Sequence, residues 1–301
     1  MKHTTTALRN HMSERFFADA ERIEAEFMHT YVSSAAQPVK SELGIATLRI
    51  SGGVALSMRH DVTGYWSKAL GFGFEEPVTE ELIGRVLAFY RAERTPGAVI
   101  QIAPSVLPPE WDEICAHHDI RAGSPWVKLA CPIADFRAGQ TQLRVGPVTV
   151  GDVDEWASTT LRGFGMPEEG LADMMAASVE SPDFRPFAAW DGDDMIATAN
   201  LFVRGEIGSL NSAATLPGHR SQGAQSALLA ARAGAAADAG CRWLVAETGK
   251  PEEGVPSPSM NNLLRAGLRP LYERQNWSWR LATDSDEHAL ERDAAPTSTR
   301  T

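Results

Sequence analysis

The chain has 301 residues, of which 43% are hydrophobic and 22% charged, a composition that excludes collagenous, disulfide-scaffold and disordered classes. Its length allows two domains, and 39 acidic against 28 basic residues give a formal charge of −11, which argues against sequence-independent binding to a phosphate backbone. Met1 to Glu14 lacks the apolar core of a signal peptide, no run approaches the ~18 apolar residues of a membrane span, and Cys115, Cys131 and Cys241 form no CxxC pair, so a cytoplasmic protein with reduced thiols and no membrane partner is expected.

Phe16, Phe17, Ala20, Ile23, Phe27 and Tyr31 recur at spacings of three and four, predicting an amphipathic helix. Ile45 to Ile50 and Val54 to Met58 flank Ser51-Gly52-Gly53, a hairpin signal. Short strand Ser67 to Gly73 follows. Thr79 is then the expected N-cap of a helix carrying Leu82, Ile83, Val86, Leu87 and Tyr90. Strand Ala98 to Ala103, helix Pro109 to His117 and strand Trp126 to Ala130 complete a first half, residues 1–136, that alternates strands and helices up to a polar connector at 137–142.

The second half, 143–282, opens with strand Leu143 to Val150 and a helix expected to be capped by Asp152, and a further helix spans Pro167 to Val179. Strands Phe187 to Trp190, Met195 to Val203 and Ile207 to Leu216 follow. A long Ala-rich helix from Ser221 to Asp238, strand Arg242 to Glu247, a short helix Ser259 to Arg265 and a last strand Leu271 to Trp279 end the half. The alternation predicts an α/β architecture. Residues 283–301 have almost nothing to bury and read as a disordered tail.

The turn from Thr215 to Ser226 carries the most chemistry. A strand ends at Pro217 and a helix begins within five residues, so unpaired N–H groups at the first helical turn can hold an anion, with Gly223 permitting close approach and Arg220 adding charge. The spacing of Pro217, Arg220 and Gly223 resembles the pyrophosphate loop of the GNAT acyltransferase superfamily, except that Gln225 stands where that motif has Gly or Ala. Gly240 to Gly249 resembles the next strand of that family, and Ser257 to Arg274 its following helix and final strand.

The resemblance covers residues 143–282 and, more loosely, the first half at Gly71 to Glu81 and the helix leading to Phe89 and Tyr90. It implies an α/β fold of two GNAT-like domains, each a mixed, mostly antiparallel central sheet flanked by helices. The first domain is then a degenerate copy without a phosphate loop, forming one wall of the acceptor cleft. The second is implied to bind acetyl-CoA, or another acyl-CoA, as co-substrate. Implied contacts are Ala214, Thr215 and Leu216 at the strand end, Arg220, Ser221, Gln222, Gly223, Ala224, Gln225 and Ser226 in the turn, and Asn262 on the short helix.

The implied reaction is CoA-dependent N-acyl transfer to a small-molecule amine by direct attack. Alternatives are a carrier-protein or aminoacyl-tRNA donor, the one route by which nucleic acid would be a partner, and a CoA-binding module without turnover. Glu247, ending its strand, and Glu206, in a turn, are both candidate bases. The family's usual acid is a tyrosine at the position of Leu263, so Tyr272 is the candidate substitute. The oxyanion donor is expected to be a backbone N–H on the strand ending at Thr215, where it splays from its neighbour. Asn211 and Ser212, with Phe164 and Trp190, are candidate acceptor contacts. His117 and His118 should diverge by about 100° on a helix, and no metal is expected. Oligomeric state is not legible.

Overall fold

The computed structural model describes residues 14–137, 139 and 142–282. The tail at 283–301 and part of the connector lie outside the described residues. Helices α1 (Glu14–Ser33) and α2 (Gln37–Leu43) lead into strands β1 (Ile45–Ile50), β2 (Gly53–Met58) and β3 (Lys68–Leu70). Then come α3 (Glu80–Ala92), β4 (Gly97–Gln101), α4 (Trp111–His117) and β5 (Arg121–Pro132). The second half holds β6 (Arg144–Pro147), α5 (Val153–Phe164), α6 (Leu171–Ser178), β7 (Phe184–Asp191), β8 (Asp194–Arg204) and β9 (Ile207–Thr215). It ends with α7 (Ala224–Asp238), β10 (Trp243–Gly249), α8 (Pro258–Arg265) and β11 (Arg269–Arg280). Among the described residues no helix is long and apolar enough to cross a membrane.

The local signals act as the residues dictate. Ser51 and Gly52 take positive φ between Ile50 and Gly53, closing the β1–β2 hairpin. Thr79 caps α3 by accepting from the N–H of Leu82 at 3.2 Å, and Ser257 caps α8 by accepting from the N–H of Met260 at 3.3 Å. Asp152 differs from expectation: its carboxylate turns back to the Thr149 hydroxyl at 2.6 Å in a capping box around a short 3-10 turn before α5. The segment Gln37–Leu43, unassigned from sequence, is α2, started by Pro38 in its first turn and ended by left-handed Gly44.

The strands form one 11-stranded sheet in the order β1-β2-β3-β4-β11-β5-β10-β9-β8-β7-β6. Pairing is antiparallel except β3 with β4 and β9 with β10. The two halves exchange strands at the centre: β5, from the first half, pairs with β10, and β11, from the second, pairs with β4. Apolar helix faces then cover the sheet. α3 and α4 pack with β2 to β4 and Trp279, α7 and α8 pack with β7 to β10, and α1 joins the halves through Phe27 and Tyr31 against Phe184 and Phe202.

Candidate active site

Strands β9 and β10 pair in parallel only from Ile207–Trp243 to Leu210–Ala246. Past Leu210 a bulge interrupts β8–β9 pairing between Thr198 and Asn200, and Ser212 takes a φ of 49°. The end of β9 therefore leaves its neighbour and opens a cavity of about 990 Å³, at the large end of ligand sites. Helix α5 lies close to this strand because Gly163 has no side chain; a Cβ there would come within 2.7 Å of Ala214 Cβ.

One end of the cavity is the turn into α7. Gly223, at φ 83°, is the N-cap of α7 and offers no side-chain acceptor. The N–H groups of Gly223, Ala224, Gln225 and Ser226 donate to no other described residue. These orphan donors and the positive helix end form an anion site, beside which Arg220 is exposed on the cavity rim. Gln225 reaches back to β9, donating to Ala214 O and Thr215 Oγ1, both at 2.9 Å, and so ties the helix start to the strand. Asn262 also lines the cavity, its Oδ1 accepting from Arg265 Nη2 at 2.5 Å. Leu216 and Gln222 are not among the lining residues, whereas Ala214, Thr215 and Ser221 are.

Glu247 lines the same cavity and belongs to a buried cluster of three carboxylates and two cations. Arg274 Nη2 bonds Glu24 Oε1 at 2.9 Å and Glu247 Oε2 at 2.5 Å, while Arg274 Nη1 bonds Glu21. Lys128 Nζ pairs with Glu24, lies 2.9 Å from Glu247 Oε2 and 3.6 Å from Glu21 Oε1. Burial raises the Glu247 carboxyl above its ordinary range; Arg274 and Lys128 oppose that, and the neighbouring Glu24 reinforces it. Burial acts on Glu24 the same way, but Arg274 and Lys128 outweigh it and hold Glu24 low. Glu247 Oε1 is buried without a hydrogen-bond partner among the described residues.

Three expected positions fall elsewhere. Glu206 sits in the exposed turn between β8 and β9, 3.6 Å from Arg242 and outside the cavity wall. Tyr272 donates its hydroxyl to Glu21 at 2.5 Å and does not line the cavity; its pKa is raised well above the ordinary value, chiefly by burial and then by Glu21. Trp190 is 6% exposed on β7, stacked under Arg144 at 4.1 Å, because the β6–β7 pairing covers it. Phe164, Asn211 and Ser212 do line the cavity. Asn211 Oδ1 accepts from Asn200 at 2.9 Å. His117 and His118 do not diverge: α4 ends between them, and their rings stack at 4.7 Å beside Glu80, outside the cavity.

Sequence reading expected the first half to form one wall of the acceptor cleft but named none of its residues. Those lining the cavity include Glu24, Tyr31, Trp66, Lys68, Trp126 and Lys128. The available signal was a charge inside an apolar pattern: Glu21 and Glu24 among the core positions of α1, and Lys128 amid the apolar run of β5.

Residues 152–255 match the family model described as the acetyltransferase (GNAT) family. Most of the chain is similar in fold to several solved structures. A GCN5-related N-acetyltransferase from Kribbella flavida is 15% identical with a TM-score of 0.58, covering 89% of this chain and 97% of its own. A tandem GNAT protein from the clavulanic acid biosynthesis pathway, solved without AcCoA, is 12% identical at 0.56, covering 89% and 95%. A GCN5-related N-acetyltransferase from Sphaerobacter thermophilus is 14% identical at 0.53, again covering 89% and 95%. No curated protein sequence matches this one.

Proposed function

We propose, on the premise of a GNAT-family domain at residues 152–255, that the protein transfers an acyl group, acetyl in the simplest case, from an acyl-CoA to the amine of a small molecule. One observation carries the reading: the uncapped start of α7 and Glu247, a carboxylate of the buried cluster, belong to the wall of a single cavity. The N–H groups of Gly223 to Ser226 and the Arg220 guanidinium suit a pyrophosphate, and half-buried Asn262 suits the amides of the arm that follows it.

Acyl-CoA supplies a thioester carbon that an unprotonated amine can attack with loss of the thiol. Glu247 takes the amine proton, directly or through one water; a base whose pKa is raised binds that proton better than an ordinary carboxylate. The edge of β9 past Leu210 offers backbone N–H groups to the oxygen that gains charge. The Tyr272 hydroxyl is held by Glu21, so the departing sulfur takes its proton from solvent.

A second reading, a CoA-binding module without turnover, rests on Leu263, an apolar side chain where the resemblance calls for a tyrosine. Thiol release from acetyl-CoA with a panel of primary amines separates the two. Amine-dependent release that is lost in Glu247→Gln supports the transferase; CoA binding with no release under any amine supports the module. Transfer only from a carrier- or tRNA-linked donor would replace acyl-CoA as the co-substrate.

A further inference from the structure

Lys68 is a buried cation with no carboxylate partner among the described residues. On β3, Ala69 belongs to the core under α3 and Leu70 to the core under α1. Alternation puts Lys68 on the Leu70 side, and there it lines the cavity while only 4% exposed. Its Nζ lies 3.7 Å from the Tyr65 ring centroid and 5.6 Å from that of Trp126, with no hydrogen bond or ion pair among the described residues. Aromatic faces offset only part of the cost of burying an ammonium. Other buried cations on this wall are satisfied: Lys128 by its glutamates, and Arg232 by the carbonyls of Leu228, Asn200 and Asn211.

We propose that Lys68 binds an anionic group on the acceptor, so that the acceptor is an amine with an apolar or aromatic body and a carboxylate or phosphoryl group at its far end. The inference rests on the transferase reading above. Trp126 and Lys128 lie two residues apart on β5, about 7 Å along one face, and Lys128 contacts Glu247. Lys68 over Trp126 is therefore on the order of 10 Å from Glu247 by that strand spacing, too far for the adjacent amine and carboxylate of a free α-amino acid. Tyr65, Trp66 and Trp126 line the same cavity.

The test compares 4-(aminomethyl)benzoate, 4-(aminomethyl)phenylphosphonate and uncharged 4-methylbenzylamine, as acetyl acceptors and as quenchers of the intrinsic fluorescence of Trp66 and Trp126. Native protein should prefer one anionic probe over the uncharged amine by at least about 10-fold in kcat/KM and in affinity, the scale of a charge-assisted bond; which anion wins separates carboxylate from phosphoryl recognition. In Lys68→Met the ratio should fall to about one, and in Lys68→Arg it should persist, with CoA affinity reporting that each variant is folded. Equal handling of charged and uncharged probes by native protein, or an unchanged ratio in Lys68→Met, would overturn the anion subsite while leaving acyl transfer standing. Anion-selective quenching that Lys68→Met abolishes, without acetylation of any probe, would uphold the subsite and sink the transferase reading.

Discussion

Replacing Glu247 by Gln should separate catalysis from stability. The buried cluster holds Glu21, Glu24 and Glu247 against Lys128 and Arg274, three negative groups for two positive ones. The variant leaves two against two, and the amide oxygen still accepts from Arg274 Nη2, which sits 2.5 Å from Glu247 Oε2. Because the folded-state pKa of Glu247 is raised, its contribution to stability is present in acid and fades as pH climbs through that value. At pH 7 the variant should thus unfold within about 1 kcal/mol of the native protein or be more stable, since Glu21 and Glu24 still balance the two cations and the amide oxygen keeps the Arg274 bond. Activity should move the other way. Loss of a general base costs about 10²- to 10⁴-fold, or about 3 to 5 kcal/mol of transition-state stabilisation. The native kcat/KM should rise as pH passes the raised Glu247 value, and the variant should lack that limb. Thiol release across pH 5 to 9, paired with urea unfolding, reads both. Activity within threefold of native on the same pH profile would refute Glu247 as base; a loss of several kcal/mol would refute the charge count.

Tyr272→Phe removes a hydroxyl that serves Glu21 and leaves the cavity wall untouched. Turnover should stay within about threefold while unfolding free energy drops by about 1.5 to 3 kcal/mol, the value of a bond to a charged group; a 100-fold fall in kcat would make Tyr272 the acid after all. Glu26 on α1 takes Arg49 at 2.6 Å and Arg204 at 2.6 Å, and these partners, Arg49 first, lower its pKa from 4.5 to about 2. That drop caps its contribution at about 3 kcal/mol, and the half-exposed arginines reduce it to about 1 to 2. Glu26→Gln should show this loss above pH 4.5, with the gap closing as pH falls toward 2; a gap that is constant with pH would place the effect in packing.

Periodicity recovered what is locally encoded. The apolar spacing from Phe16 to Tyr31 marks α1, and Ser51-Gly52-Gly53 marks the first hairpin, because both depend on residues near in sequence. The strand exchange had no such signature: Arg269 meets Ala130 and Asn276 meets Gln101 across more than a hundred residues, and nothing in a strand names its partner. β5 was also read short, since its first residues, Arg121 to Ser124, are exposed and lack an apolar pattern. The turn before α7 was legible because glycine and a helix start announce it. The buried charge cluster was not, since Glu21, Glu24, Lys128 and Arg274 are charges that would each read as solvated until the fold gathers them out of water.

Calorimetric titration of acetyl-CoA into native protein and into Arg220→Glu tests the account at its root. Micromolar affinity, about −8 kcal/mol, that weakens at least about 30-fold when the guanidinium is replaced by a carboxylate is the predicted result, because charge-assisted phosphate bonds carry a few kcal/mol. Absence of binding to the native protein, or equal affinity in the two, would contradict an acyl-CoA pyrophosphate at the start of α7.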